Sequence, residues 1–171
     1  MMMLDPVVVR SLLVQSTRQT WGACLGQRPG PRPTLIRQVN GYPLVSTARF
    51  TGVWTGALHV FCSPRSALGW ASAMFDILPG HCADEDVVDA VAELANILAG
   101  GLLESLPFGT VLTPPTVEWD RPASCPGSQL VSAVEFDAEP TSFIVALVAE
   151  PAQLQKRNHY SNIARTSSCE L

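Results

Sequence analysis

Residues 89–101 read DAVAELANILAGG. On a helix, Asp89, Glu93 and Asn96 share one stripe, because they lie four and three residues apart. Asp86 continues that stripe one turn earlier. Val87, Val91, Leu94, Ala95, Leu98 and Leu102 recur on the opposite side at helical period. The spacing predicts a helix that buries one face and keeps two carboxylates and an amide outside. Asp89 and Glu93 are like charges at i,i+4, which disfavours an isolated helix by roughly 0.2–0.5 kcal/mol. The stripe therefore asks for a reason.

Around this helix the boundaries are legible. Ala83-Asp84-Glu85-Asp86 opens it, with acids where the helix dipole favours them. It is expected to run to about Ser105 and to stop at Pro107. The preceding helix opens at Ser63-Pro64, an N-cap followed by proline at the first helical position. Ala67, Leu68, Ala71 and Phe75 give it an apolar face, and Pro79-Gly80 ends it.

Strands flank this helical pair on both sides. Upstream come TLIRQV (34–39), the hairpin signal Asn40-Gly41, LVSTARF (44–50) and ALHVFC (57–62), with glycines 52 and 56 suited to a turn or bulge. Pro43 weakens the start of the second strand or places it at an edge. Downstream come VLTPPTVEW (111–119), a polar loop at 120–128, QLVSAVEFD (129–137) and SFIVALVAE (142–150), the last two as a hairpin. Near the N-terminus, Asp5-Pro6 starts another helix, with Val9, Leu12 and Leu13 on one face. GQRPGPRP (26–33) reads as a linker without regular structure.

Runs of strands separated by a run of helices indicate an α+β fold. The expectation is an antiparallel sheet of about six strands with two long helices packed on one face, plus an N-terminal helix. One domain spans 1–150, divided into a helix at 5–21, a linker at 22–33 and a core at 34–150. A polar tail occupies 151–171.

With 171 residues the chain can bury a normal core without staples. Its net charge of −4 and lack of a basic stripe argue against a nucleic-acid partner. Five cysteines, at 24, 62, 82, 125 and 169, show no metal-ligand spacing. His81-Cys82 has no second cluster to pair with, so no bound metal is expected. An odd count of unclustered cysteines suits reduced thiols in the cytoplasm. In MMMLDPVVVRSLLV (1–14), Asp5 and Arg10 interrupt the apolar run, against a signal peptide, and no stretch has the length of a membrane helix.

Four segments in this order resemble the CheC/CheX/FliY family of chemotaxis phosphatases, on its CheX-like side. They are ARFTGVWTGALHVFCS (48–63), PRSALGWASAMF (64–75), DAVAELANILAGGLLESLP (89–107) and LTPPTV (112–117). The third matches the family's D-x-x-x-E-L-x-N-x-x-x-G helix. E-x-x-N alone is weak, but the longer pattern with these flanks is fairly specific. A single such helix fits CheX-like members, whereas CheC-like members have two.

The resemblance implies hydrolysis of the aspartyl-phosphate on a response-regulator receiver domain. It gives Asn96 the role of positioning the attacking water and Glu93 that of pairing with the receiver's lysine. Asp86, Asp89 and Gly100 would belong to the partner-binding surface. The chain would hold no cofactor, since the Mg²⁺ sits on the partner receiver. The resemblance also implies a homodimer. An in-line attack on a loose phosphoryl transition state needs positioning more than a strong base, and an amide can provide it.

Plainer readings exist for the same residues. A polar stripe is most often the solvated side of a helix. Gly100-Gly101 could be a helix C-cap, leaving Asn96 near the helix end. Trp54 is expected to fold back over the sheet, and Trp70 and Trp119 to pack. His59 lacks a partner and reads as structural or exposed, and Ser66, Ser72 and Ser105 lack a nucleophile context. The alternative in a different class is a non-catalytic CheX-like module that docks a receiver or a motility protein.

Overall fold

The structure is a computed structural model that describes residues 4–32, 42–120, 127–138 and 141–150. The predicted strand at 34–39, its Asn40-Gly41 turn and the tail at 151–171 lie outside the described residues. Helix α1 spans Pro6–Leu25, α2 Pro64–Phe75 and α3 Asp84–Leu103. The strands are β1 Gly30–Arg32, β2 Leu44–Gly52, β3 Gly56–Cys62, β4 Thr110–Leu112, β5 Thr116–Trp119, β6 Gln129–Ala138 and β7 Thr141–Ala149.

All described pairings are antiparallel, in the order β1-β6-β7-β3-β2-β4, with β5 also on β2. β4 and β5 share one edge of β2: Phe50 faces Leu112, and Leu44 faces Trp119. VLTPPTVEW thus forms two short strands rather than one, because Pro114-Pro115 interrupts the hydrogen-bond ladder.

Strand alternation builds two apolar faces. Ala48, Phe50, Leu58, Val60, Val134, Phe136, Phe143 and Val145 join the buried side chains of the three helices in the main core. The opposite face carries a smaller cluster of Val45, Phe61, Ala133, Ile144 and Ala146. β3 lies between β2 and β7, and all seven of its residues are buried. Helix α1 packs on β6, α2 on β7, and α3 on β2 and β3, so the N-terminal helix shares the face of the other two.

The caps match the expected chemistry. Asp5 accepts from the Val7 N–H at 2.8 Å, and Ser63 from the Ser66 N–H at 3.1 Å. The first helix departs from expectation at its far end. It continues past Gly22 to Leu25 and closes on Gly26, a left-handed cap at φ 65°. Nor is the segment beyond Gly26 wholly an unstructured linker, since Gly30–Arg32 pairs with β6. Pro31 is tolerated there because the strand lies at the sheet edge. Helix α2 ends earlier than Pro79, at Phe75 with Asp76 left-handed at φ 55°, and Pro79–His81 forms a single 3-10 turn.

An aromatic stack locks α1 and α2 to β7. Trp21 lies 4.6 Å from Phe143, nearly parallel to it, and Trp70 meets both rings edge-on at 5.2 Å. Trp54 folds back beside Phe50, as expected, and is buried. It leaves no room at Gly56, where a Cβ would strike the Trp54 ring and the Val148 carbonyl. Trp119 differs from expectation: at the edge strand β5 it is half exposed.

Candidate functional site: the outer face of helix α3

Helix α3 is seated by its apolar side. Val87, Ala90, Val91, Leu94, Ala95, Leu98, Ala99 and Leu102 are buried, including all six residues singled out by their period. Burial of a leucine such as Leu94 or Leu98 contributes on the order of 1.5–3 kcal/mol, so the helix cannot rotate without large loss. Its start is fixed by Asp86, whose carboxylate accepts the Ala83 N–H at 2.8 Å. Asp86 is half-buried and occupied as a cap, which makes it the least available of the predicted surface residues.

The remaining candidates lie outward. Asp89, Glu93 and Asn96 are exposed, and Gly100 is half-buried. Neither the Glu93 nor the Asn96 side chain forms a hydrogen bond or an ion pair with another described residue. Cys24 near the end of α1 lies close enough to feel the Glu93 carboxylate. Burial first, and that charge second, raise its thiol above its ordinary range. From Asp89 to Asn96 the stripe is therefore open to a partner, and α1 borders it beside Glu93.

Helix α3 does not end at Gly100-Gly101. It continues to Leu103, so Asn96 sits well inside the helix rather than at a fraying end. A Cβ at Gly100 or Gly101 would meet nothing within 4 Å. Interior packing gives no reason for these glycines, although each weakens a helix by roughly 0.5–1 kcal/mol relative to alanine. Ile97 and Gly101 are also exposed and share this face. Sequence reasoning misses Ile97; its signal is the four-residue step from Glu93.

The other polar candidates are structural. His59 is buried on the opposite sheet face, and its Nδ1 lies 3.0 Å from Thr47 Oγ1 across the β2–β3 pair. Burial, helped by the nearby Arg49 charge, lowers its pKa to about 4, so the ring is neutral at pH 7. Ser66 is buried against Ser63 at 2.9 Å, and Ser72 donates to the Ile77 carbonyl at 2.6 Å. Cys62 is a buried core thiol, pushed up to about 12 by burial. Among the described residues no three histidine, cysteine or acidic side chains form a metal-binding group, and no helix is long and apolar enough to cross a membrane.

No curated protein matches the chain. Solved structures resemble it in fold. A chemotaxis protein CheX from Desulfovibrio desulfuricans is 19% identical, with 84% of this chain and 99% of that one covered at a TM-score of 0.68. CheX from Vibrio vulnificus is 15% identical, covering 86% and 97%, also at 0.68. A chain of the CheX-CheY-BeF3-Mg²⁺ complex from Borrelia burgdorferi is 19% identical, covering 82% and 96% at 0.61. The model of the family described as chemotaxis phosphatase CheX matches residues 44–136, from the start of β2 through α3 into β6. That match spans more than half of the chain and contains the exposed stripe: the chain belongs to the CheX family.

Proposed function

We propose that the chain is a phosphatase that hydrolyses the aspartyl-phosphate of a response-regulator receiver domain. The observation that carries this reading is the joint exposure of Glu93 and Asn96, one turn apart and unengaged, on a rigidly seated helix. Glu93 pairs with the receiver's lysine and fixes the register of α3 in the partner's cleft. The Asn96 amide oxygen accepts a hydrogen bond from a water and holds it in line with the phosphorus. The water oxygen bonds to phosphorus as the phosphorus–oxygen bond to the aspartate breaks, releasing phosphate and a free carboxylate. The receiver's Mg²⁺ supplies charge neutralisation for the phosphoryl oxygens.

Asp89 extends the acidic contact, and Gly100 allows close approach one turn beyond Asn96. Asp86 contributes through the field of the stripe while its carboxylate caps the helix. The active form is a homodimer, a state that sedimentation of the full chain would test. The Borrelia burgdorferi complex, in which a CheX chain is held with CheY, BeF3 and Mg²⁺, supports a receiver as the partner.

The test is phosphate decay on a panel of receiver domains from the same genome, charged with acetyl phosphate. At least one receiver should lose phosphate faster with the chain present, and Asn96→Ala should remove at least 90% of the acceleration, about 1.4 kcal/mol or more. Binding of that receiver should persist in the variant. Binding with no acceleration on any receiver would leave a docking module without catalysis.

A further inference from the structure

Helix α1 ends in a way that gathers positive charge. Past the left-handed cap at Gly26 the chain runs through Arg28 into buried Pro29. The Pro29 carbonyl accepts the Arg18 Nε–H at 3.2 Å, which ties the helix to the segment that follows it. Arg28 is placed from both sides, by the cap before it and by the proline and the β1 pairing after it. Arg18 and Arg28 line one hollow of about 690 Å³, whose other described walls are Gln19, Gly22, Ala23 and Gly26.

Among the described residues neither guanidinium meets a carboxylate, and no carboxylate lines the hollow. The bond to Pro29 uses only Nε of Arg18 and leaves its two terminal nitrogens to donate. A helix C-terminus opposes an anion with about half a negative charge. Here the Gly22 and Trp21 carbonyls already accept the N–H groups of Gly26 and Gln27, each at 3.2 Å. Two whole positive charges outweigh what remains. The surplus matches a phosphate monoester, which carries about −1.5 to −2 at pH 7. Planar arginine forks also suit phosphate oxygens two at a time. The chain's own tail at 151–171 does not match by charge, since it sets Lys156, Arg157 and Arg165 against Glu170.

The volume calls for more than a bare ion. It falls within the roughly 300–1,000 Å³ of sites that hold small organic molecules. Gly22 provides part of the room. It lies inside α1, where glycine weakens a helix relative to alanine. A Cβ there would meet only the Gln27 carbonyl oxygen, at an ordinary 3.7 Å, so packing gives no reason for the glycine. We propose that the hollow binds the phosphate monoester of a small organic molecule of about mononucleotide size. Arg18 and Arg28 hold the phosphate, and Gln19, Gly22 and Ala23 face the organic part. The site shares no residue with the outer face of α3 and does not depend on the phosphatase reading.

The test is calorimetric titration of the full chain with AMP, GMP, CMP, UMP and ribose phosphate, with inorganic phosphate and adenosine as the two halves of the ligand. At least one ester should bind with a Kd below about 1 mM, about tenfold or more tighter than inorganic phosphate, and adenosine should not bind. Arg18→Gln and Arg28→Gln change exposed side chains and should each raise that Kd about tenfold. Gly22→Leu, which fills the hollow with a good helix former, should abolish binding, with folding of every variant verified by circular dichroism. Arg65→Gln, at an exposed arginine on α2, should leave the Kd unchanged. Binding by none of the esters overturns the proposal. So does inorganic phosphate that binds as tightly as they do, which reduces the site to a bare anion. An ester that binds Arg18→Gln or folded Gly22→Leu as it binds wild type lies elsewhere, and an equal loss in Arg65→Gln marks unspecific charge attraction; either result overturns the assignment.

Discussion

Glu93 and Asn96 are separated by one helical turn, and the proposed chemistry divides between them. Removing the Asn96 amide removes the group that orients water, so the loss belongs in kcat. Removing the Glu93 charge removes a contact made both before and during the reaction. Glu93→Ala is expected to lower receiver affinity and kcat/KM together, by about tenfold, with the larger effect at low salt. Affinity measured at two ionic strengths checks this. An affinity loss that does not depend on salt would point to altered packing against α1, where Cys24 lies near the same carboxylate. Glu93→Gln, which keeps shape and loses charge, should behave as the alanine variant does.

At the scale of the element, α3 gives up helix stability at Gly100 and Gly101 with nothing inside the protein to justify it. Gly101→Ala should stabilise the fold by about 0.5–1 kcal/mol, because open space awaits the methyl group. The same substitution should weaken receiver binding, because a partner that packs on the glycine backbone meets the added carbon. Thermal unfolding and binding on one sample test the two signs together. Tighter or unchanged binding would mean that the partner does not approach this turn.

Helix α3 is also the element most readable from sequence. Its period, acidic start and outward stripe are properties of adjacent turns, and they suffice to orient it. The sheet edges are less readable. Pro31 argues against a strand in residues 26–33, yet an edge position needs no donor on the outer side, so proline fits β1. The exposure of Trp119 and the interlock of Gly52 with Gly109 depend on which strands become neighbours of β2, information absent from any local window.

For the whole molecule, burial of His59 couples stability to acidity. In the fold its pKa is about 4, below the ordinary 6.5, so between these values the unfolded chain binds more protons than the native one. The contribution is complete above pH 6.5 and is lost as pH falls towards 4. The span of the shift sets an upper scale of about 3 kcal/mol. Urea midpoints should drop between pH 7 and 4.5, and His59→Gln should flatten that part of the dependence. An equal drop in the variant would assign the acid sensitivity to carboxylates instead.

The position of β3 has a consequence during synthesis. Its seven residues are buried, and it hydrogen-bonds β2, made just before it, and β7, near the end of the described chain. A nascent chain can close the β2–β3 hairpin early, but the other edge of β3 stays open while α2, α3 and three further strands are translated. At roughly 5–20 residues per second the open edge persists for on the order of ten seconds. Throughout that interval the ribosome carries a sticky half-sheet whose partner has not yet been made, and the need for chaperone protection is concentrated there.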